Sequence, residues 1–234
     1  TLRDSRSRQE LESLGVRRPP VFVTADPALL LTPGGDDRVT AIFEAEGIRP
    51  RGQKLLGISV RKWGRPTEFI DTVARVADHL ADTYGLLAVL VPMQFSEDHE
   101  VCVRIRDRMN GKAHVLARNY EAADLLALFG QFELVLAMRL HALIFCVLQG
   151  VPLVCVAYDP KVESFLREVG QPVIGAGDCL SFELLKARVD QAWARGARVW
   201  PQVQTRPIDI SFTLAQRSLL FITMPTWYTV VSRS

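Results

Sequence analysis

Four side chains stand where a small anion could be bound and acted on: Arg61, Arg139, His141 and Lys161. Each comes just after an apolar run. Arg61 follows Leu55-Leu56-Gly57-Ile58-Ser59-Val60. Arg139 follows Leu134-Val135-Leu136-Ala137-Met138, with His141 two residues on, and Lys161 follows Val154-Cys155-Val156-Ala157-Tyr158 and Asp159-Pro160. The planar fork of arginine binds a carboxylate or phosphate through two parallel hydrogen bonds, while lysine supplies a compact charge. Histidine is the side-chain type whose ordinary pKa lies nearest neutral, which suits it to proton transfer. Read singly, each has a plain explanation. An arginine after a strand is commonly a solvated loop residue, a histidine among apolar residues is commonly a core residue, and Lys161 falls in the first turn of a helix. Recurrence at the same end of three strands is what raises the set to a candidate anion site.

Other chemistries find little support. The segment after Val60 reads Arg61-Lys62-Trp63-Gly64 rather than G-x-G-x-x-G, which argues against a dinucleotide. There is no phosphate-binding P-loop, no G-x-S-x-G elbow and no H-x-x-x-H spacing. His79 falls in an amphipathic helix. His99 sits among Glu97, Asp98 and Glu100 on what reads as a solvated face, and His114 precedes a short strand. Arg104, Arg106 and Arg108 alternate and so share no helical face, which removes a nucleic-acid stripe. Cys102, Cys146, Cys155 and Cys179 form no C-x-x-C pair, and three of them sit in or beside apolar runs. They read as small hydrophobes in a reducing compartment. The expectation is therefore a cytoplasmic protein with no metal and no cofactor.

The elements that must position these residues follow from periodicity. Leu55–Val60, Leu86–Val91, Glu133–Ala137 and Leu153–Ala157 are short, largely apolar runs, and His114–Ala117 is a shorter one; all read as strands. Between them lie segments with helical spacing. These are Phe69 to Leu80, Asp98 to Met109, Glu121 to Phe129, Leu140 to Gln149 with Gly150 at its end, Pro160 to Val169 with Gly170 at its end, and a last helix carrying Phe182, Leu185, Val189 and Trp193. Alternation of apolar strands with helices predicts a Rossmann-like α/β domain, a parallel sheet covered on both faces, over residues 52–196. In such sheets ligands bind beyond the carboxyl ends of the strands. Arg139 to His141 also open a helix, where unpaired N–H groups favour an anion.

Composition bounds the rest. The chain has 234 residues, 48% hydrophobic and 23% charged, so it can bury a core and is not a disordered tail. The net charge of +2 gives no pull toward nucleic acid, and no run of about 18 apolar residues exists to span a membrane. The first residue is Thr1, and the opening run to Glu12 is polar, with no signal-peptide core. Residues 1–51 do not complete a domain: they read as a helix at Ser7–Leu14 ending at Gly15, a strand at Val21–Thr24 and the turn-rich Pro33-Gly34-Gly35-Asp36-Asp37. Residues 197–234 have no clear period and read as a divergent tail.

The stretch from Met138 to Leu166, MRLHALIFCVLQGVPLVCVAYDPKVESFL, resembles the polysaccharide pyruvyl transferases, especially the CsaB-like cell-wall enzymes. Support comes from Val23-Thr24-Ala25-Asp26-Pro27-Ala28, from Gly57-Ile58-Ser59-Val60-Arg61 and from Val91-Pro92-Met93-Gln94, so that the resemblance covers residues 2–196. It implies the C-terminal half of a two-domain, GT-B-like architecture. Residues 1–51 are then the remnant of an N-terminal domain with the interdomain segment, and the chain is expected to be N-terminally incomplete. The resemblance further implies transfer of pyruvate from phosphoenolpyruvate onto two sugar hydroxyls as a ketal, with release of phosphate. It places Arg139 and His141 on the family's donor-site arginine and histidine, Lys161 on its pattern lysine and Arg61 on its strand-end arginine, so that Arg61, Arg139 and Lys161 are expected on the phosphoenolpyruvate; because histidine's ordinary pKa lies nearest neutral, His141 is the candidate general acid. The implied acceptor is a sugar of a lipid-linked cell-wall glycan precursor whose product serves S-layer anchoring, so that work at the inner face of the membrane is expected. Two other readings share the residues. One is a nucleotide-sugar glycosyltransferase of the same fold; many retaining ones carry two glutamates eight residues apart here, whereas Glu163 is followed at that spacing by Gln171 and Glu168 by Ala176. The other is a non-catalytic anion-binding fragment.

Overall fold

The apolar runs become parallel strands, and their order places the candidate residues. The computed structural model describes residues 2, 5–50, 52–63, 66–171, 174–175 and 180–194. The expected tail at 197–234 and Cys179 lie outside them. The strands are β1 (Leu55–Ser59), β2 (Leu87–Leu90), β3 (Ala113–Val115), β4 (Phe132–Ala137), β5 (Leu153–Ala157) and β6 (Ile174–Gly175). They form one sheet in the order β3-β2-β1-β4-β5-β6, parallel throughout. β1 is central, with Ile58 opposite Leu90 on one side and Leu136 on the other. The chain leaves β1 toward one edge and returns at β4 to build toward the other. The crevice between the carboxyl ends of β1 and β4 is the switch point at which such folds bind ligands.

Eight α-helices occur among the described residues: α1 (Ser5–Ser13), α2 (Asp36–Ala45), α3 (Pro66–Tyr84), α4 (Phe95–Arg106), α5 (Ala122–Phe129), α6 (Leu140–Gln149), α7 (Pro160–Glu168) and α8 (Phe182–Ala194). Successive strand residues point to opposite faces, and each face is buried. Leu56, Ile58 and Val60 join Val73 and Leu80 of α3, Cys102 and Ile105 of α4, and Leu185 and Val189 of α8. Leu55, Val89, Val135 and Cys155 join Ile42 of α2, Leu126 and Phe129 of α5, Leu143 and Phe145 of α6, and Val162 and Leu166 of α7. Phe129 meets Phe132 and Phe145 edge-on, with ring centroids 5.5 and 5.6 Å apart. That geometry adds to the area each ring buries. No helix among the described residues is long and apolar enough to cross a membrane.

Three local expectations are corrected. The turn-rich Pro33–Asp37 leads straight into α2, whose acidic first turn, Asp36 and Asp37, suits the positive end of a helix dipole. The strand expected at Val21–Thr24 is a single bridge, Leu2 to Val23. Phe22 is 64% exposed there, because two short segments alone cannot bury a face. Asp98, read as part of a solvated face, is wholly buried.

Candidate functional site

β1 leads to the crevice with two buried polar atoms that no described residue satisfies. Ser59 is fully buried, and neither its Oγ nor Arg61 Nε has a hydrogen-bond partner among the described residues. Buried polar atoms are nearly always paired, so two orphans at a strand end make it a candidate place for a ligand. Arg61 is held from another side. Its Nη1 donates to Tyr158 Oη at 3.3 Å, and its guanidinium lies 5.0 Å from the centre of the Tyr158 ring. Tyr158 in turn packs on Trp63, centroids 5.2 Å apart. β1 and β5 are thus tied above β4 by an arginine between two loops.

Arg139 is the residue before α6 and takes the N-cap position, with no side-chain cap of its own. Its side chain is 13% exposed, and the guanidinium is engaged by acids from the first turn of α4. Nε donates to Asp98 Oδ2 at 2.9 Å, Nη2 donates to Asp98 Oδ1, and Nη2 also reaches Glu97 Oε2 at 3.3 Å. Asp98 Oδ2 accepts the Gln94 N–H as well, at 2.9 Å, which closes the start of α4. Burial works against the charge of Arg139, but the hydrogen bonds and charge of Asp98, with help from Glu97, outweigh it and raise its pKa further. The cation expected to face a substrate is therefore braced by two carboxylates.

His141 lies exposed in the first turn of α6. Lys161 lies in the first turn of α7, where Asp159 serves twice. Its Oδ1 accepts the Lys161 N–H at 2.9 Å as the helix cap, and its Oδ2 stands 3.4 Å from the Lys161 ammonium. The structure thus joins Arg61 and Arg139 to the ends of β1 and β4, and sets Lys161 at the end of β5 and His141 on the helix that β4 feeds. Asp98, Glu97, Tyr158 and Trp63 are the site residues that spacing did not reveal. The sequence signal for Tyr158 and Trp63 was only their place within two residues of Asp159 and Arg61. Among the described residues, no group of three or more His, Cys, Asp or Glu side chains is placed to hold a metal ion. The thiols of Cys102 and Cys155 are pushed up to about 12, chiefly by burial, and stay protonated.

Residues 1–160 match the family model for polysaccharide pyruvyl transferases. The chain belongs to that family. The match takes in β1 to β5, and with them Arg61, Arg139 and His141. No match is found among curated proteins. Among solved structures, the chain resembles UDP-GlcNAc 2-epimerase from Neisseria meningitidis, with 13% identity and a TM-score of 0.59, covering 82% of this chain and 54% of that one. It resembles a glycosyltransferase from Rickettsia africae with 9% identity and a TM-score of 0.58, covering 97% and 62%. It also resembles ADP-heptose lipopolysaccharide heptosyltransferase II from E. coli, with 13% identity and a TM-score of 0.54, covering 78% and 57%. These are likenesses of fold, and they make the sheet one of GT-B type. The chain spans about half the length of the solved chains it matches.

Proposed function

We propose that the protein, as part of a polysaccharide pyruvyl transferase, moves pyruvate from phosphoenolpyruvate onto two hydroxyls of a sugar. The observation that carries this reading is the pair of orphaned atoms, Ser59 Oγ and Arg61 Nε, in the crevice beside Arg139. Phosphoenolpyruvate brings a carboxylate and a phosphate, about three negative charges in all. Arg61, the outer part of Arg139 and Lys161 are the cations available to hold them. The uncapped start of α6 adds free N–H groups on the same rim.

The reaction needs a proton at the methylene carbon to make C2 electrophilic. His141 delivers it, and the first sugar hydroxyl adds to C2, losing its proton. The C2–O bond to phosphate then breaks, and the second hydroxyl closes the ketal. One hydroxyl proton replaces that given to the methyl group, and the other leaves with phosphate as hydrogen phosphate. Arg61 and Lys161 stabilise the charge that gathers on the departing phosphate. No cofactor takes part. The family resemblance supports a lipid-linked glycan precursor as acceptor, which would place the work at the inner face of the membrane.

The test is phosphate release from phosphoenolpyruvate in the presence of disaccharide acceptors. His141→Ala should cut the rate by about 100-fold or more while phosphoenolpyruvate still raises the melting temperature. Wild-type turnover in that variant removes His141 as the acid. Stabilisation by UDP-sugars and none by phosphoenolpyruvate overturns the donor assignment.

A further inference from the structure

Each cation on the rim has a neighbour that holds it, and the neighbours differ in charge. Arg139 is braced by the carboxylates of Asp98 and Glu97, and Lys161 by that of Asp159, 3.4 Å from its ammonium. A carboxylate that braces a cation also offsets its charge, the more so where burial lowers the dielectric. Arg61 differs. Among the described residues no carboxylate pairs with it, and its hydrogen-bonded neighbour is the phenol of Tyr158. A phenol accepts a hydrogen bond without bringing the charge of a carboxylate.

We infer that Tyr158 is the positioning residue of Arg61, aiming the guanidinium while leaving its charge to a bound anion. The inference rests on the anion site described above and deepens the pyruvyl transfer proposed for it. Tyr158 directly follows β5 and is anchored apart from Arg61. Its ring packs against the apolar clusters on both faces of the sheet and on Trp63. From that place it meets the guanidinium at two points. The ring centre lies 5.0 Å from Cζ, and Oη accepts from Nη1 at 3.3 Å. A contact on the face and a contact at one end together set the tilt and the rotation of a planar group. With Nη1 turned to Tyr158, the Nε–Nη2 edge is left, and its Nε has no partner among the described residues. That edge carries two parallel N–H groups, the geometry that takes two oxygens of one carboxylate or phosphate. In Arg139 the same edge is closed by Asp98. Tyr158 thus decides that Arg61 is the arginine able to grip an anion with its fork.

The experiment titrates the whole chain with phosphoenolpyruvate and, separately, with inorganic phosphate, read by calorimetry. The proteins are the wild type, Tyr158→Phe, Arg61→Lys and the double variant. Tyr158→Phe keeps the ring and removes only the acceptor, so the melting temperature without ligand should hardly change. Both anions should bind it about fivefold more weakly, in line with the loss of one hydrogen bond. Arg61→Lys keeps a charge but has no fork to aim, so adding Tyr158→Phe to it should weaken binding no further. A role in packing alone would carry the same loss into both backgrounds. The inference is overturned if the wild type binds neither anion, if Tyr158→Phe binds both as the wild type does, or if its loss is undiminished beside Arg61→Lys. Phosphate binding that follows the expected pattern in a protein blind to phosphoenolpyruvate would remove the donor assignment and leave the role of Tyr158 standing.

Discussion

Asp98 decides how much of Arg139 is left open to a ligand. Its carboxylate is fully buried and covers the Nε–Nη2 edge of the guanidinium, and Glu97 takes a further Nη2 proton. What remains for a ligand is the Nη1 end, a single point of contact rather than a fork. Arg61 is the complement: Nη1 is spent on Tyr158, while Nε is buried and unpaired. Breaking a buried ion pair by removing one partner leaves a bare charge in low dielectric, so Asp98→Ala should cost about 3–5 kcal/mol of stability in urea unfolding. Arg139→Ala in the same background should cost little more, giving a coupling energy of about 2 kcal/mol. Simple additivity would mean that the pair does not hold the site together. The two arginines could be placed from sequence because residues after apolar strands of a parallel sheet must meet at one rim. Asp98 could not. Its partner is 41 residues away, and a run of Glu97, Asp98, His99 and Glu100 has the composition of a solvated face. Which member of an acidic run turns inward is settled by tertiary packing alone.

Gly57 shows how the strands set the distance between the arginines. It sits mid-way along β1, opposite Val89 and Val135. A Cβ there would come within 2.6 Å of Phe132 Cδ2 and 2.8 Å of Cε2, at the start of β4. The ring of Phe132 lies across the glycine and lets β1 and β4 pair closely while Phe132 still reaches Phe129. Gly57→Ala should destabilise by about 1–3 kcal/mol, the usual result of overpacking. Phe132→Leu in addition should recover part of that loss, measured as the urea midpoint; no recovery would place the strain elsewhere. At this scale the sequence was readable wherever an element is apolar on a face or capped. The bounds of α6 and β5 fall where the apolar runs and Gly150 put them, and Gly150 takes the left-handed conformation with φ of 66°. It was unreadable where the element buries little. α2 hides only Val39 and Ile42 behind a start rich in glycine and aspartate. β6 is two residues long, below any period.

Across the molecule, contacts far apart in sequence fasten the last helix to the domain that bears the site. α8 lies against α3, and Asp190 is the rivet. It accepts from His79 Nε2 at 2.7 Å, from Tyr84 Oη at 3.0 Å and from Lys186 Nζ at 2.9 Å. Thr83 Oγ1 stands 3.2 Å from the other ring nitrogen of His79, so the imidazole is held at both ends. Aromatic contacts flank the rivet: Tyr84 packs on Trp193, and the Arg75 guanidinium lies 4.0 Å from the centre of the Phe182 ring. α3 begins just after the loop that carries Arg61 and Trp63, so a helix that clamps α3 also steadies that loop. The histidine of an amphipathic helix is thus a structural group, distant from the chemistry. Partial burial works against the charge of Asp190, but hydrogen bonds from His79, Lys186 and Tyr84 prevail and bring its pKa down to about 2. The sign follows. A carboxyl whose folded pKa lies below its unfolded one contributes stability above the unfolded value, near 4, and loses it as pH falls through 2. Asp190→Ala should therefore melt about 2–4 °C below the wild type at neutral pH, the shift expected of roughly 1 kcal/mol for a partly exposed cluster. Calorimetry between pH 7 and pH 2 should show the two melting temperatures converging at the acid end. A gap that stays constant over that range would mean that the loss comes from packing of α8 and that the charge of Asp190 contributes nothing to holding it.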